Sequence, residues 1–272
     1  MKIAVENKSK LYIALITTLI SLIILVTGTY AWFTLSLSGK VQEMELKVTA
    51  GDSLFVDTVS HGNNADAYQA KNTVNNDDIL TQLRSNSWFS NSATFGAINI
   101  YPVTSGDGKK FYSQSNTAIS PSALQYMQFD LYFIATRNMQ VYLTENNSSS
   151  GAGDGTKVTS KDTNSTSQAA IDKCVRISFA ESSHDAKIYE PNRNGNTTLT
   201  VDGAKSDNGG SATMSSTFDD PVAGQSAAKL FDLVANTEKK ITVTIWIEGD
   251  DPQCTDAVKS AVFLTQLRFE GQ

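Results

Sequence analysis

The chain has 272 residues, of which 18% are charged and 40% hydrophobic, and its formal net charge is −6. An acidic chain with dispersed basic residues is a poor partner for nucleic acid and gains no electrostatic attraction to anionic lipid. The length suffices for a sizeable core in one or two domains, and the richness in Ser, Thr, Asn and Gly suits a β-rich extracellular domain better than a helical cytosolic enzyme.

In chain order, the first feature is a basic start, Lys2, Lys8 and Lys10, followed by an apolar run over Leu11–Thr27 broken only by small hydroxyl residues. No charge occurs from Leu11 through Gly39. A basic n-region, an apolar stretch and small residues at a cut point describe a secretory signal peptide. Thr29 and Ala31 supply the small residues at −3 and −1 if the cut follows Ala31, so Thr29, Tyr30, Ala31 and Trp32 form the candidate cleavage site. The run exceeds the roughly 7–15 residues of an ordinary h-region and approaches the about 20 that span a bilayer. Two outcomes stay open: cleavage, or retention of the apolar helix as an N-terminal membrane anchor. Both place the remainder outside the cytoplasm, at the cell surface or in the medium. They divide the chain into residues 1–31 and a single extracellular domain over 32–272.

Downstream the period changes to two. Met44, Leu46, Val48 and Ala50 alternate with polar residues, which predicts a half-buried strand. A turn at Gly51-Asp52 and a short strand at Leu54–Val56 follow. Residues 57–78 are polar and read as a loop, and Asp78–Trp88 reads as a short helix with Ile79, Leu80 and Leu83 on one face, capped by Asn76, Asp77 or Asp78. Phe129, Leu131 and Phe133 alternate in a strong strand that leads through Thr136-Arg137-Asn138 into Gln140–Thr144, a hairpin or a tight corner. Val175, Ile177 and Phe179 mark another strand. Ile241, Val243, Ile245 and Ile247 mark the strongest one, and Phe263, Leu267 and Phe269 belong to the last. Glu145–Gln168 and Asn192–Ala227 are dominated by Ser, Gly, Asn, Thr and Asp and read as long mobile loops. The pattern predicts a mainly all-β fold. It is an antiparallel β-sandwich of jelly-roll type with one or two short helices and long polar loops, preceded by the N-terminal apolar helix.

Chemistry-bearing motifs are sparse. Neither histidine, His61 nor His184, sits in a known catalytic pattern, and Ser183-His184-Asp185 are too close in sequence to converge as a triad. The chain is therefore read as a non-enzyme without cofactors. The enzymatic alternative is a glycosidase, whose two carboxylates leave no local signature. Glu248, Asp250, Asp251 and Asp256 offer hard oxygens of the kind Ca²⁺ takes. Their spacing differs from an EF-hand, and a Pro-containing turn with carboxylates facing water accounts for them, so no metal is assigned. Cys174 and Cys254 form an even pair. An exterior compartment permits a disulfide between them, and two separate buried thiols are the alternative. The aromatics Phe129, Tyr132, Phe133, Tyr142, Phe179, Trp246 and Phe269 read as core, with an exposed Tyr132 or Trp246 as a carbohydrate platform or subunit contact.

The junction Thr29-Tyr30-Ala31-Trp32-Phe33 resembles that of TasA/camelysin-like secreted proteins of Gram-positive bacteria, in which a dedicated signal peptidase cuts near the Ala. The islands Ile245–Cys254 (IWIEGDDPQC) and Tyr101–Tyr112 (YPVTSGDGKKFY) also resemble segments of such proteins. The resemblance implies a jelly-roll subunit of the extracellular biofilm matrix. Fibres would form by donating an N-terminal strand, within Trp32–Ala50, to the next copy. Its implied partners are a second copy of the chain, signal peptidase and matrix polysaccharide. The peptidase activity ascribed to camelysin is not carried over, because no zinc-ligand pair is visible. The competing expectations are a membrane-anchored adhesin or glycan-binding module and, third, an extracellular hydrolase.

Overall fold

The computed structural model describes residues 15–18, 20, 39–48, 53–68, 73–86, 94–113, 115–120, 125–145, 155–161, 171–182, 184–191, 217–218, 220–221, 229–251, 253–254, 258 and 260–272. The chain divides into two compact units, residues 1–37 and 38–272. In the first, residues 15–18 are helical, with Leu15 and Ile16 exposed. Among the described residues no helix is long and apolar enough to cross a membrane. Most of the Leu11–Thr27 run, and the junction Thr29–Trp32, lie outside them.

The second unit is built on two sheets. One contains β1 (Gly39–Val48), β3 (Thr73–Val74), β4 (Ile98–Ile100), β6 (Met139–Leu143), β7 (Lys157–Ser160), β11 (Lys229–Leu233) and β13 (Val262–Gly271). Its order is β11-β6-β13-β1-β3, with β4 on β1 and β7 on β13. The other contains β2 (Leu54–Asp57), β5 (Tyr126–Ala135), β8 (Val175–Ala180), β9 (Lys187–Tyr189), β10 (Thr217–Phe218) and β12 (Lys239–Ile247), in the order β10-β9-β8-β12-β5-β2. Among the described residues of this unit, three short helices, α1 (Ala65–Tyr68), α2 (Asn76–Ser85) and α3 (Ile171–Cys174), accompany them.

Alternation decides what faces inward. Phe133 of β5 meets Phe231 of β11 and Phe269 of β13, with ring centroids 5.0 and 5.1 Å apart, and Phe179 of β8 meets Phe269 at 6.0 Å. The two sheets thus pack face to face, and Ile241, Val243, Ile245 and Ile247 of β12 fill the space between them with almost no exposure.

The mainly β expectation holds, and several finer expectations are corrected. The sheets are not purely antiparallel: β1 runs parallel to β13 over eight register pairs, and β9 pairs parallel with β10. Of the two alternatives for Thr136-Arg137-Asn138, a hairpin or a tight corner, the corner is found, because β5 belongs to one sheet and β6 to the other. Residues 57–78 hold α1 and β3, Glu145–Gln168 holds β7, and Asn192–Ala227 holds β10, so none of the three is wholly loop. These inserts are only two to four residues long, too short for a period to register.

Helix α2 starts before Asp78, since Asp78 Oδ2 accepts from the Asn75 N–H at 3.0 Å and so closes the first turn from Asn75. Its apolar residues Ile79, Leu80 and Leu83 are buried, and its amide side chains meet both sheets. Asn76 Oδ1 accepts from the Met44 N–H of β1 at 2.9 Å. Gln82 accepts from the Asp130 N–H of β5 at 2.5 Å and donates to the Asp130 and Thr58 carbonyls. Two side chains thereby take the place of missing strand neighbours.

Candidate functional site

The outer face of the β5-β12-β8 sheet is covered where the two sequence islands meet. Val103 N–H donates to the Ile247 carbonyl at 3.0 Å, and Gly249 N–H donates to the Val103 carbonyl at 2.9 Å. This lays Tyr101–Tyr112 against the end of β12. Phe111 stacks on Tyr126 at 4.2 Å and meets Trp246 edge-on at 5.3 Å, and with Val103 and Ile188 they form a second small core. Gly108 is needed there. Its φ of +67° favours glycine, and an added Cβ would approach the Ser178 Cβ to 2.7 Å. Burial pushes the Tyr126 hydroxyl up to about 12. Trp246 is 0% exposed and belongs to the core as expected, so the alternative of a carbohydrate platform falls. Tyr132 is half-buried against the Phe55, Tyr68 and Ile134 cluster.

Beneath that cover lies a buried charge cluster. Glu248 Oε2 accepts from Trp246 Nε1 at 3.0 Å and from the Ser105 N–H at 3.3 Å. Arg176 pairs with Asp251 through Nη2 and lies 3.5 Å from Glu190 through Nε. Its other terminal nitrogen donates to the Lys173 and Val175 carbonyls. Arg176, Glu190 and Glu248 are all fully buried. One cation faces three carboxylates, and leaving all of them ionised without water is costly. Burial raises the Glu248 carboxyl to about 7, against the weaker lowering effects of Trp246 and Arg176. The turn expected here is present, but Glu248 and Asp251 face inward rather than into water. Asp250 is half-buried and Asp256 lies outside the described residues. Among the described residues no group of three or more His, Cys, Asp or Glu side chains converges to hold a metal.

Cys174 and Cys254 are brought together at the edge of the same cluster. Both are buried and not joined in a disulfide, and their side chains are in hydrogen-bond contact. That contact and burial push the Cys174 thiol far above its ordinary range.

A second polar cluster joins the loop after β2 to the β11–β12 turn. Glu238 accepts from Ser60 Oγ at 2.7 Å, from the His61 N–H at 2.9 Å and from the Tyr68 hydroxyl. His61 Nε2 lies 3.0 Å from the buried Asp57. Burial works against the charge of Glu238, but the bonds from Tyr68, Ser60, His61 and Gly62 outweigh it and hold the carboxyl below its ordinary value. A carboxylate so fully engaged serves as a clamp rather than a base. Sequence reading missed it, because Glu238 is far in the chain from Asp57 and His61 and only the fold joins them. His184 is exposed and lies 3.3 Å from Glu181, as a solvated loop residue would.

The remaining feature is the seat of β1. Val41, Met44, Leu46 and Val48 are buried, with a register irregularity between Val41 and Glu43. On one side β1 pairs with β13 along nearly its whole length. On the other, β4 covers Gly39–Val41 and β3 covers Leu46–Lys47. Between them Asn76 holds the Met44 amide, and a groove of about 440 Å³ opens there, bounded by Glu43, Thr73, Asn75, Lys157, Thr159 and Gln266 among others. Comparison with protein-family models, with curated proteins and with solved structures finds no match to this chain.

Proposed function

We propose that this chain is a secreted, non-enzymatic structural protein, a jelly-roll subunit that assembles into matrix filaments by donating its N-terminal strand to the next copy. The observation that carries the reading is the seat of β1. The first strand of the second unit lies in the interior of a sheet, parallel to the last strand, and two short strands and one side-chain amide hold its other edge. A strand so placed can be supplied by its own chain or by a neighbour, because the hydrogen bonds and the buried faces of Val41, Met44, Leu46 and Val48 are the same in both cases. Each such side chain stabilises its seat by about 1.5–3 kcal/mol, which makes an empty seat unfavourable and exchange nearly neutral. A head-to-tail exchange that does not close on itself generates a filament.

Export and cleavage after Ala31 free the segment from Trp32, which precedes β1, so the reading ties the junction motif to the fold. Purified residues 32–272 are expected to form polymers, and deletion of residues 32–42 is expected to abolish them. A protein that stays monomeric under all conditions, whatever its N-terminus, would remove the filament reading. The rival glycan-binding reading loses its Trp246 platform to the Phe111 cover.

A further inference from the structure

We infer that Cys174 and Cys254 are a redox site, a dithiol that an external disulfide converts into an intramolecular disulfide latching the turn after β12 onto the start of β8. The inference does not depend on filament formation. The two thiols come from segments that other bonds already fix against each other. The Glu248 N–H donates to the Cys174 carbonyl at 2.8 Å, and the Cys254 N–H donates to the Asp251 carbonyl at 2.9 Å. Arg176 spans the same junction, donating to the Lys173 carbonyl on one side and to Asp251 on the other. Ile247 and Val175, next to the two segments, are register partners in the sheet. The two thiols are therefore carried on segments held side by side, and their side chains touch, as a bond between the sulfurs requires.

The chemistry is thiol–disulfide exchange with an oxidant of the disulfide class, either a low-molecular-weight disulfide or a thiol–disulfide oxidoreductase. One cysteine, as thiolate, attacks a sulfur of the external disulfide, forms a mixed disulfide and expels the first thiolate. The second cysteine, as thiolate, attacks the sulfur of its partner and expels the other half. Two electrons pass from the cysteines to the oxidant, and the two protons they lose end on the released thiols.

Burial sets when this happens. Cys174 is 0% and Cys254 6% exposed, so a reagent cannot reach either sulfur in the closed fold. The contact with Cys254, together with burial, disfavours the Cys174 thiolate. Oxidation then belongs to the folding chain, before the turn after β12 closes, or to rare openings of that turn. Whichever state is present at closure then changes only through such openings.

The latch also sits where β1 begins. An added Cβ on Gly39 would lie 2.5 Å from Ile247 Cδ1 and 3.4 Å from Ile171 of α3, the helix that ends in Cys174.

The test takes the full chain in detergent, reduced and unfolded in denaturant, and refolds it with a mixture of oxidised and reduced glutathione. Afterwards it is treated with a maleimide in denaturant and measured by intact mass and peptide mapping. The expected product has lost two hydrogens, carries no maleimide and yields one linked peptide pair containing Cys174 and Cys254. Reduced chain already folded is expected to oxidise at least about tenfold more slowly in the same mixture. Two maleimide labels, or glutathione retained on either cysteine, would overturn the disulfide. Equal oxidation rates for folded and unfolded chain would overturn the gating. Cys174→Ala and Cys254→Ala must each abolish the linked peptide.

Discussion

Glu248→Gln separates charge from hydrogen bonding at the junction of the two islands. Gln retains an oxygen acceptor for Trp246 Nε1 and the Ser105 N–H, so the variant chiefly removes the ability to ionise. In the fold, burial raises the Glu248 carboxyl from its ordinary 4.5 to about 7. A raised carboxyl means that the fold favours the neutral form. Its contribution to stability is complete below the unfolded value, declines as the pH rises from about 4.5 to about 7, and is lost above that. At about 1.4 kcal/mol for each unit, the interval corresponds to about 3 kcal/mol. Gln has no such dependence. The stability of Glu248→Gln relative to the natural chain should therefore rise by about 3 kcal/mol between about pH 4 and pH 8. Urea melts of both proteins at several pH values measure this. Their difference cancels other titrating groups, Asp172 among them, whose carboxyl burial also raises. A difference constant to within about 0.5 kcal/mol over that range would show that Arg176 keeps Glu248 ionised in the fold, and the reasoning would be wrong.

Three further outcomes are expected. Arg176→Ala leaves Asp251 and Glu190 buried without their cation and should cost about 3–5 kcal/mol in a denaturant melt. Gln82→Ala removes the donor and the acceptor that α2 presents to Asp130 at the β5 edge, and the donor to the Thr58 carbonyl. It should cost about 2 kcal/mol and speed hydrogen exchange at the Asp130 amide. Gly108→Ala forces a side chain into positive φ and against Ser178, with an expected loss of about 1–3 kcal/mol in thermal or denaturant unfolding.

The strands that sequence reading located most clearly are those whose alternation is long enough to register. β5, β8, β12 and β13 each bury one apolar set between the sheets, and the hydrophobic period follows directly from that. β3, β4, β9 and β10 are two or three residues long and carry no readable period. Their pairing depends on longer neighbours. The parallel match of β1 to β13 was equally hidden, since alternation reports which face is buried and not which strand lies alongside. What covers Trp246 was hidden for a related reason. Trp246 stands on the outer face of its sheet, which in a two-layer fold would meet water, but Phe111 from a distant segment covers it. The acidic turn was legible as a turn, and its inward charges were not, because Arg176 lies on another strand. The cysteine pair was legible as an even number of thiols. Their contact came only with the fold.

The most direct measurement of strand donation uses Glu43→Cys combined with Leu264→Cys in residues 32–272, since these two positions face each other across β1 and β13. Assembled and unassembled protein are oxidised and separated by size in denaturant without reductant. Donation predicts a ladder of covalently joined chains from assembled material and a single crosslinked chain from monomer. Crosslinks confined to single chains in material that has assembled would contradict it, because β1 would then remain in its own subunit.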